Sequence, residues 1–354
     1  MSGAVAAHAE SPPSSDARPP LSHWWAVAGW VAMPLLAAAL SHDRFTSSTL
    51  AAAGVQGLFA VSWVLLAATG QPSLGHALPY GAGAYAAAFV ARLGGFHPGG
   101  LGGLVPVVLI AAAALAGAGA GALQGRVTRR LSPVFLAVAT LGTAEAAHSL
   151  ATMWTAPVMR GVAEADTAIP VAAFPNDDRA AVWIAAAAFG AGVLAVAALV
   201  HSRTGVALRT SAGEERAAEA LGFDAPRLRL AAFVVAGTIA GVAGALAAQF
   251  SGRVSPAVFS WHTSLFVPAA ALIGGPGLVA GPAAAAYVIG ALTQFFEIAP
   301  GAQVVAFAAV LAAAALRDPQ HALGPAFSWN PRPARGAGAP RRAPSRSARR
   351  DGAQ

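Results

Sequence analysis

Residues 203–229 read RTGVALRTSAGEERAAEALGFDAPRLR and form the only long charged segment that lies between apolar ones. Ser211 and Glu214 match a Ser-x-x-Glu capping box, and Gly222 supplies a left-handed stop, which predicts a short helix between them. A helix of about ten residues is marginal in water when it stands alone. Two interpretations stay open: a solvated loop, or a helix that a partner protein holds.

The composition around this segment is that of an integral membrane protein. Hydrophobic residues make up 56% of the chain and charged residues only 10%, and the mean hydropathy is +0.59. Soluble domains usually carry about a quarter charged residues. We therefore predict an all-α fold, a polytopic transmembrane helical bundle.

Several chemistries are excluded by missing residue types. All 22 basic residues are arginine and the chain has no cysteine, so it lacks a P-loop lysine, a Schiff-base lysine, a thiol nucleophile and cysteine metal ligands. The nine histidines show no metal-ligand spacing. We expect no catalytic residues, no metal and no cofactor, and we do not expect an enzyme.

Three regions follow from the distribution of apolar residues. Residues 1–23 are predicted to be a disordered lead, 24–316 the transmembrane domain, and 317–354 a disordered basic tail. The tail has eight arginines against two aspartates, which favours binding to membrane lipid over nucleic acid.

The transmembrane domain contains eight to ten predicted spans. The third, at 77–92, is short for the ~20 residues of a straight crossing and predicts a broken or re-entrant helix. The pair around GGPGLVAGP, residues 274–282, could be one broken hairpin instead of two crossings. The apolar segments lie at 24–40, 49–69, 77–92, 101–124, 133–154, 180–200, 230–250, 263–279, 281–298 and 302–316.

Charge predicts which segments face the cytosol. The RVTRR run at 126–130, residues 203–229 and the tail are basic, whereas the loop before residue 180 is acidic on balance. The positive-inside rule places the basic segments in the cytosol. Span parity agrees, and it puts both termini there too.

Polar residues cluster in TGQPSLGHALPYGAGAYAAA, residues 69–88. The candidates for a gate or substrate path are Gln71, Ser73, His76 and Tyr85, because backbone breaks at membrane depth occur only against protein or a water-filled path. The alternative is a polar cytosolic turn between the second and third spans.

A second candidate is Glu145, at the middle of the fifth span with Thr140 and Thr143 on neighbouring faces. A carboxylate buried at that depth is a functional candidate by default. The alternative is a helix-pairing role, with His148 as its partner.

These motifs together resemble the LivM-type permease subunit of branched-chain amino-acid ABC importers. The resemblance rests on GQPSLGH-x4-GAGAY, the charged segment 203–229, Ser-Pro-x-x-Phe at 255–259 and GGPGLVAGP, in that order over roughly residues 50–316. It implies that residues 202–229 form a cytosolic coupling loop that docks on an ATPase subunit. By the same resemblance, the residues that couple to the ATPase are Glu215, Arg216, Ala217, Ala218, Leu221, Gly222 and Phe223.

The resemblance also implies function and partners. The chain would carry branched-chain amino acids, or related amino acids, amides or urea, across the bacterial cytoplasmic membrane. Its partners would be a second permease of the same fold, two ATP-binding subunits, which bind the ATP, and an extracytoplasmic solute-binding protein. The family's usual Gly-rich run is missing from the outer loop at 155–170, which leaves the solute open.

A rival interpretation comes from the residues alone. A self-sufficient secondary transporter or channel would use Glu145 and His148 as a proton relay, and would transport without ATP.

Overall fold

The computed structural model describes residues 21–93, 104–129, 131–158, 169–170, 178–213, 219, 222–274, 279–296, 305 and 309. Helices dominate these ranges, and the strands among them are two residues each, so the all-α bundle is confirmed. The helices are α1 (Leu21–Leu40), α2 (Arg44–Ala68), α3 (Ala77–Leu93), α4 (Leu104–Thr128), α5 (Pro133–Val158), α6 (Asp178–His201), α7 (Arg203–Gly213), α8 (Ala225–Ser251), α9 (Trp261–Gly274) and α10 (Ala280–Phe295).

Five of these helices, α2, α4, α5, α6 and α8, are long and apolar enough to cross a membrane. Each coincides with a span predicted from the sequence. The start of α2 is capped by Asp43, which accepts both the hydroxyl and the backbone N–H of Thr46, and these bonds lower the pKa of the Asp43 carboxyl. The predicted lead before residue 21, the tail 317–354, and all but residues 305 and 309 of the span at 302–316 lie outside the described residues.

Helices α2 and α8 form the centre of the bundle. Most of α2 is buried, against α6, α8 and α10. Helix α8 packs most extensively on α4, where a Cβ at Gly117 would overlap the Gly237 carbonyl oxygen. Small residues let helices approach this closely in lipid, where packing drives association. The Gly- and Ala-rich stretches therefore have a direct structural use.

The described parts of two basic segments, 126–129 and 203–213 with 222–229, meet at one end of the bundle, which we name the coupling end. There Gly70, after α2, lies against Ala212 of α7, and Gly125 near the end of α4 lies against Leu230 of α8. Arg229 also donates from Nη2 to the Ser211 carbonyl at 3.0 Å. At the opposite end Phe45 contacts Phe295, with 5.9 Å between ring centroids. The described residues of these two basic runs thus share one end, as span parity predicts.

Two long helices end in the same way but at opposite ends of the bundle. Helix α2 is followed by Gly70 (φ +69°) and α8 by Gly252 (φ +68°). In each case the chain then leaves the α-helix, at 70–76 and at 252–260, before a shorter helix begins, α3 or α9. We name these segments the first break and the second break.

The hairpin around GGPGLVAGP is shorter than two full crossings. Helices α9 and α10 have 14 and 16 residues, or roughly 21 and 24 Å at 1.5 Å per residue, against a hydrocarbon core of about 30 Å. Gly274 and Gly281 approach so closely that a Cβ on either would overlap the other's backbone. This geometry favours the broken hairpin over two complete spans.

The capping box predicted at Ser211 is wrong. Ser211 lies inside α7, which begins at Arg203, and its hydroxyl donates to the Leu208 carbonyl at 2.7 Å. The helix begins early because Ala207 and Leu208 are buried, and this burial outweighs the local capping preference. The left-handed stop at Gly222 is confirmed, with φ +83°.

Gly117→Ala should destabilise the bundle by about 1–3 kcal/mol, because its methyl group overlaps backbone of α8. Gly119→Ala, two residues along the same helix, adds a methyl group where nothing lies within 4 Å. The matched measurement is the thermal unfolding midpoint of the two purified variants in detergent. Equal midpoints would show that close α4–α8 packing does not limit stability.

Candidate functional site

The first break carries non-helical backbone into the interior of the bundle. Gly70 turns the chain at the end of α2, and His76 then lies beside Ser62, with 2.7 Å between Nε2 and Oγ. Ser62 stands six residues before the end of α2, a depth of roughly 9 Å along the helix. The third span itself is an unbroken helix, Ala77–Leu93, so the prediction of a break within it is wrong. The non-helical backbone lies just before that helix, at 70–76, and inside the bundle.

Side chains from four helices hydrogen-bond the backbone of the first break and of Ala77, the residue of α3 that follows it. Exposed peptide groups at this depth would be costly without such partners. The bonds are Trp63 Nε1 to Ser73 O (2.7 Å), Gln124 Nε2 to Gly75 O (2.9 Å), Leu74 N to Thr140 Oγ1 (3.1 Å) and Ala77 N to Ser264 Oγ (3.3 Å). The break and the start of α3 are thus held from α2, α4, α5 and α9 together.

Gly75 is the tightest point of the first break. A Cβ there would overlap the Thr140 carbonyl of α5, so only glycine allows the two backbones to touch. The same carbonyl oxygen accepts the Thr143 hydroxyl at 2.6 Å, and Thr143 in turn accepts from Gln124 at 2.9 Å. Thr140 and Thr143, predicted for the substrate path, therefore brace the break against α5.

His76 is nearly inaccessible, at 1% exposure, and its ring stacks on Phe59 with 5.4 Å between centroids. Ser62 donates its only hydroxyl hydrogen to the Phe59 carbonyl at 2.6 Å, so it accepts from His76 Nε2–H. This pattern assigns the proton of a neutral imidazole to Nε2. His76 Nδ1 then remains an acceptor, without a partner among the described residues.

The second break packs on α3, the helix that follows the first break. Phe259 packs on Gly81 and against Tyr85, with 5.3 Å between the aromatic centroids. The Tyr85 hydroxyl and Gln124 Oε1 are also buried and have no partner among the described residues. Buried polar atoms normally find a partner, so each of these is a candidate contact for water or a polar solute.

The other predicted path residues differ in their surroundings. Gln71 and Ser73 are buried within the first break, and the Ser73 hydroxyl accepts from Gly75 N at 3.3 Å. Glu145, expected to be buried, is instead exposed on the surface of α5. His148 Nδ1 donates to the Pro256 carbonyl at 2.9 Å, and the described residues show no ion pair between His148 and Glu145.

Only part of the predicted coupling set can be placed. Gly222 and Phe223 are described, and Asp224 after them caps α8 by accepting Arg227 N at 3.1 Å. The other predicted residues, Glu215, Arg216, Ala217, Ala218 and Leu221, lie outside the described residues.

The two candidate sites touch directly. A Cβ at Gly70 would lie 2.9 Å from the Ala212 Cβ, so the last turn of α7 abuts the first residue of the first break. This contact was missed in the sequence because nothing local marks it. Ser62, Trp63 and Ser264 were missed for the same reason, whereas Gln124 carried a signal, as an amide in the last turns of an apolar helix.

The family model for the permease component of the branched-chain amino acid transport system matches residues 45–316. The chain belongs to this family. No curated protein and no solved structure matches it. The permease match spans both breaks and the charged segment 203–229, so these features belong to a multi-pass subunit of an ABC transporter. A transporter subunit, not an enzyme, is what the family indicates.

Ser62→Ala should lower the free energy of unfolding of the permease by about 1–3 kcal/mol, because it leaves His76 Nε2–H buried without an acceptor. Ser48→Ala is the matched control: Ser48 also donates to the carbonyl three residues back in α2, but on the exposed surface. Chemical unfolding in detergent would compare them. If Ser48→Ala lowered the free energy of unfolding by as much as Ser62→Ala, the contact between Ser62 and His76 would have no special role in stability.

Proposed function

We propose that this permease moves branched-chain amino acids, or related amino acids, amides or urea, into the cytoplasm as part of an ABC importer. The observation that carries the proposal is the family match across the first break and the coupling segment, together with the Gly70–Ala212 contact that joins them. The chain has no lysine for a P-loop, so ATP hydrolysis takes place on partner subunits.

The proposed partners are a second permease of the same fold, two ATP-binding subunits and an extracytoplasmic solute-binding protein. The basic segments at the coupling end would face the cytosol of a bacterial cell, with both termini on that side. The basic tail would rest on anionic lipid headgroups. The coupling residues around 215–223 would bind an ATPase subunit.

The mechanism is mechanical. Closure of the ATPases displaces the coupling segment, and α7 passes the displacement to Gly70 through Ala212. Arg229 holds the Ser211 carbonyl, so the first turn of α8 moves with the end of α7. The first break would then shift against α5, where Gly75 touches Thr140.

The solute path would follow the first break past Gln71, Ser73, His76 and Tyr85. His76 Nδ1 and Gln124 Oε1 are buried acceptors without partners among the described residues. Both suit a solute that carries N–H donors, which amino acids, amides and urea share. No observation favours the rival proton relay, because His148 Nδ1 is engaged by Pro256.

Replacing Ala217 and Ala218 with arginine should abolish solute uptake while ATP hydrolysis by the partner subunits continues, because bulky charge would block docking. The measurement is uptake and ATP hydrolysis in liposomes that contain the complete transporter. The same double replacement at Ala343 and Ala348, in the tail, should leave uptake unchanged. Undiminished uptake by the first variant would overturn the docking proposal.

Gly70→Ala should lower the uptake obtained per ATP hydrolysed, because its methyl group pushes against Ala212. Gly252→Ala is the control. It forces alanine into nearly the same left-handed conformation, φ +68° against +69°, but meets nothing within 4 Å, so the backbone strain of about 1–3 kcal/mol is shared. Equal uptake per ATP in the two variants would remove the Gly70–Ala212 contact from the mechanism.

A further inference from the structure

Glu145 is the one charged residue in the middle of a described membrane-length helix. It stands midway along α5, whereas Arg126 of α4, Arg179 of α6 and Arg227 of α8 lie in the first or last turn of their helices. Its carboxylate is on the outer surface of the isolated chain, away from the braced first break.

The face of α5 that carries Glu145 consists of small residues. Gly142, Ala146 and Ser149 are exposed and follow one another at three- or four-residue spacing, which places them on one side of the helix. A Cβ at Gly142 would meet nothing within 4 Å. Larger apolar residues, Val138 and Leu150, border this stretch. Small side chains around one carboxylate therefore lie halfway along the exposed face of α5.

Other exposed helix faces at the same depth suit lipid. Helix α4 exposes Leu115 and Leu123, and α6 exposes Ala191 and Leu194. No charge occurs in the middle of either face in the described chain. Hydrocarbon covers such faces without cost, but a carboxylate at that depth requires protein or water beside it. The α5 face thus differs from the exposed faces of α4 and α6 because it carries a charge in the middle of the helix, where contact with hydrocarbon is unfavourable.

Any protein that covers the α5 face around Glu145 has to reach the middle of the bilayer. ATP-binding subunits and a solute-binding protein lie outside the bilayer, so of the proposed partners only another membrane-spanning permease reaches Glu145. Small residues on α5 allow the close backbone approach that helix pairs in membranes use. Within its own chain Glu145 has no ion pair to His148, the nearest basic side chain along the helix among the described residues.

We infer that the α5 face formed by Gly142, Glu145, Ala146 and Ser149 packs against a second permease subunit of the same fold. Glu145 then lies in a polar seam between the two subunits. The inference rests on the proposed function for the presence of that subunit. It adds which surface of this chain the subunit covers.

The natural chain has no cysteine, so single-cysteine variants report on one position. Ala146→Cys, labelled with a benzophenone maleimide, would be illuminated in the purified complete transporter in liposomes. We expect an adduct that runs at the sum of two permease subunits and contains peptides from both. Ser149→Cys is a second probe of the same face should Ala146→Cys not assemble.

The matched control is Ala191→Cys on α6, an exposed alanine at a similar distance from its helix ends, which should label lipid only. Adducts from Ala146→Cys that contain only lipid, an ATP-binding subunit or the binding protein would overturn the interface. Uptake and ATP hydrolysis of the same samples test the proposed function separately. A permease–permease adduct in a preparation without ATP-driven uptake would keep the interface and reject the import proposal.

Discussion

A stretch of peptide backbone without helical hydrogen bonds cannot stay at membrane depth unless side chains replace those bonds. In this permease Trp63, Gln124 and Thr140 meet that requirement for the first break, and Ser264 meets it for Ala77 directly after the break. Because the four donors and acceptors come from four helices, the break fixes how those helices sit around it. The rest of the central packing depends on this arrangement.

The same requirement explains where the glycines lie. Gly75 lets the break touch α5, and Gly70 turns the chain out of α2 beside α7. A side chain at either position would separate surfaces whose contact the proposed mechanism uses. Composition bias toward small residues therefore does not explain these two positions.

Much of the architecture was predictable because hydrophobic length and charge are local properties of a sequence. The five long spans, the shared end of the described basic residues and the short third helix all follow from them. Contacts between residues that are distant in the sequence do not follow from local properties. The sequence therefore gave no indication that Ser62 contacts His76 or that Ala212 contacts Gly70. The capping box failed because burial of Ala207 and Leu208 lengthened α7. The prediction that Glu145 is buried was wrong because the sequence shows how far along the span Glu145 lies but not which face of the helix it occupies.

Both breaks are attached to α3. The first break leads directly into α3 at Ala77, whereas Phe259 of the second break packs on Gly81, and Ser264 of α9 accepts from Ala77 N at 3.3 Å. Moving one break away from α3 loosens the support of the other. Helix α3 thus acts as a shared pivot, and the two ends of the bundle are mechanically linked by the packing of a single short helix.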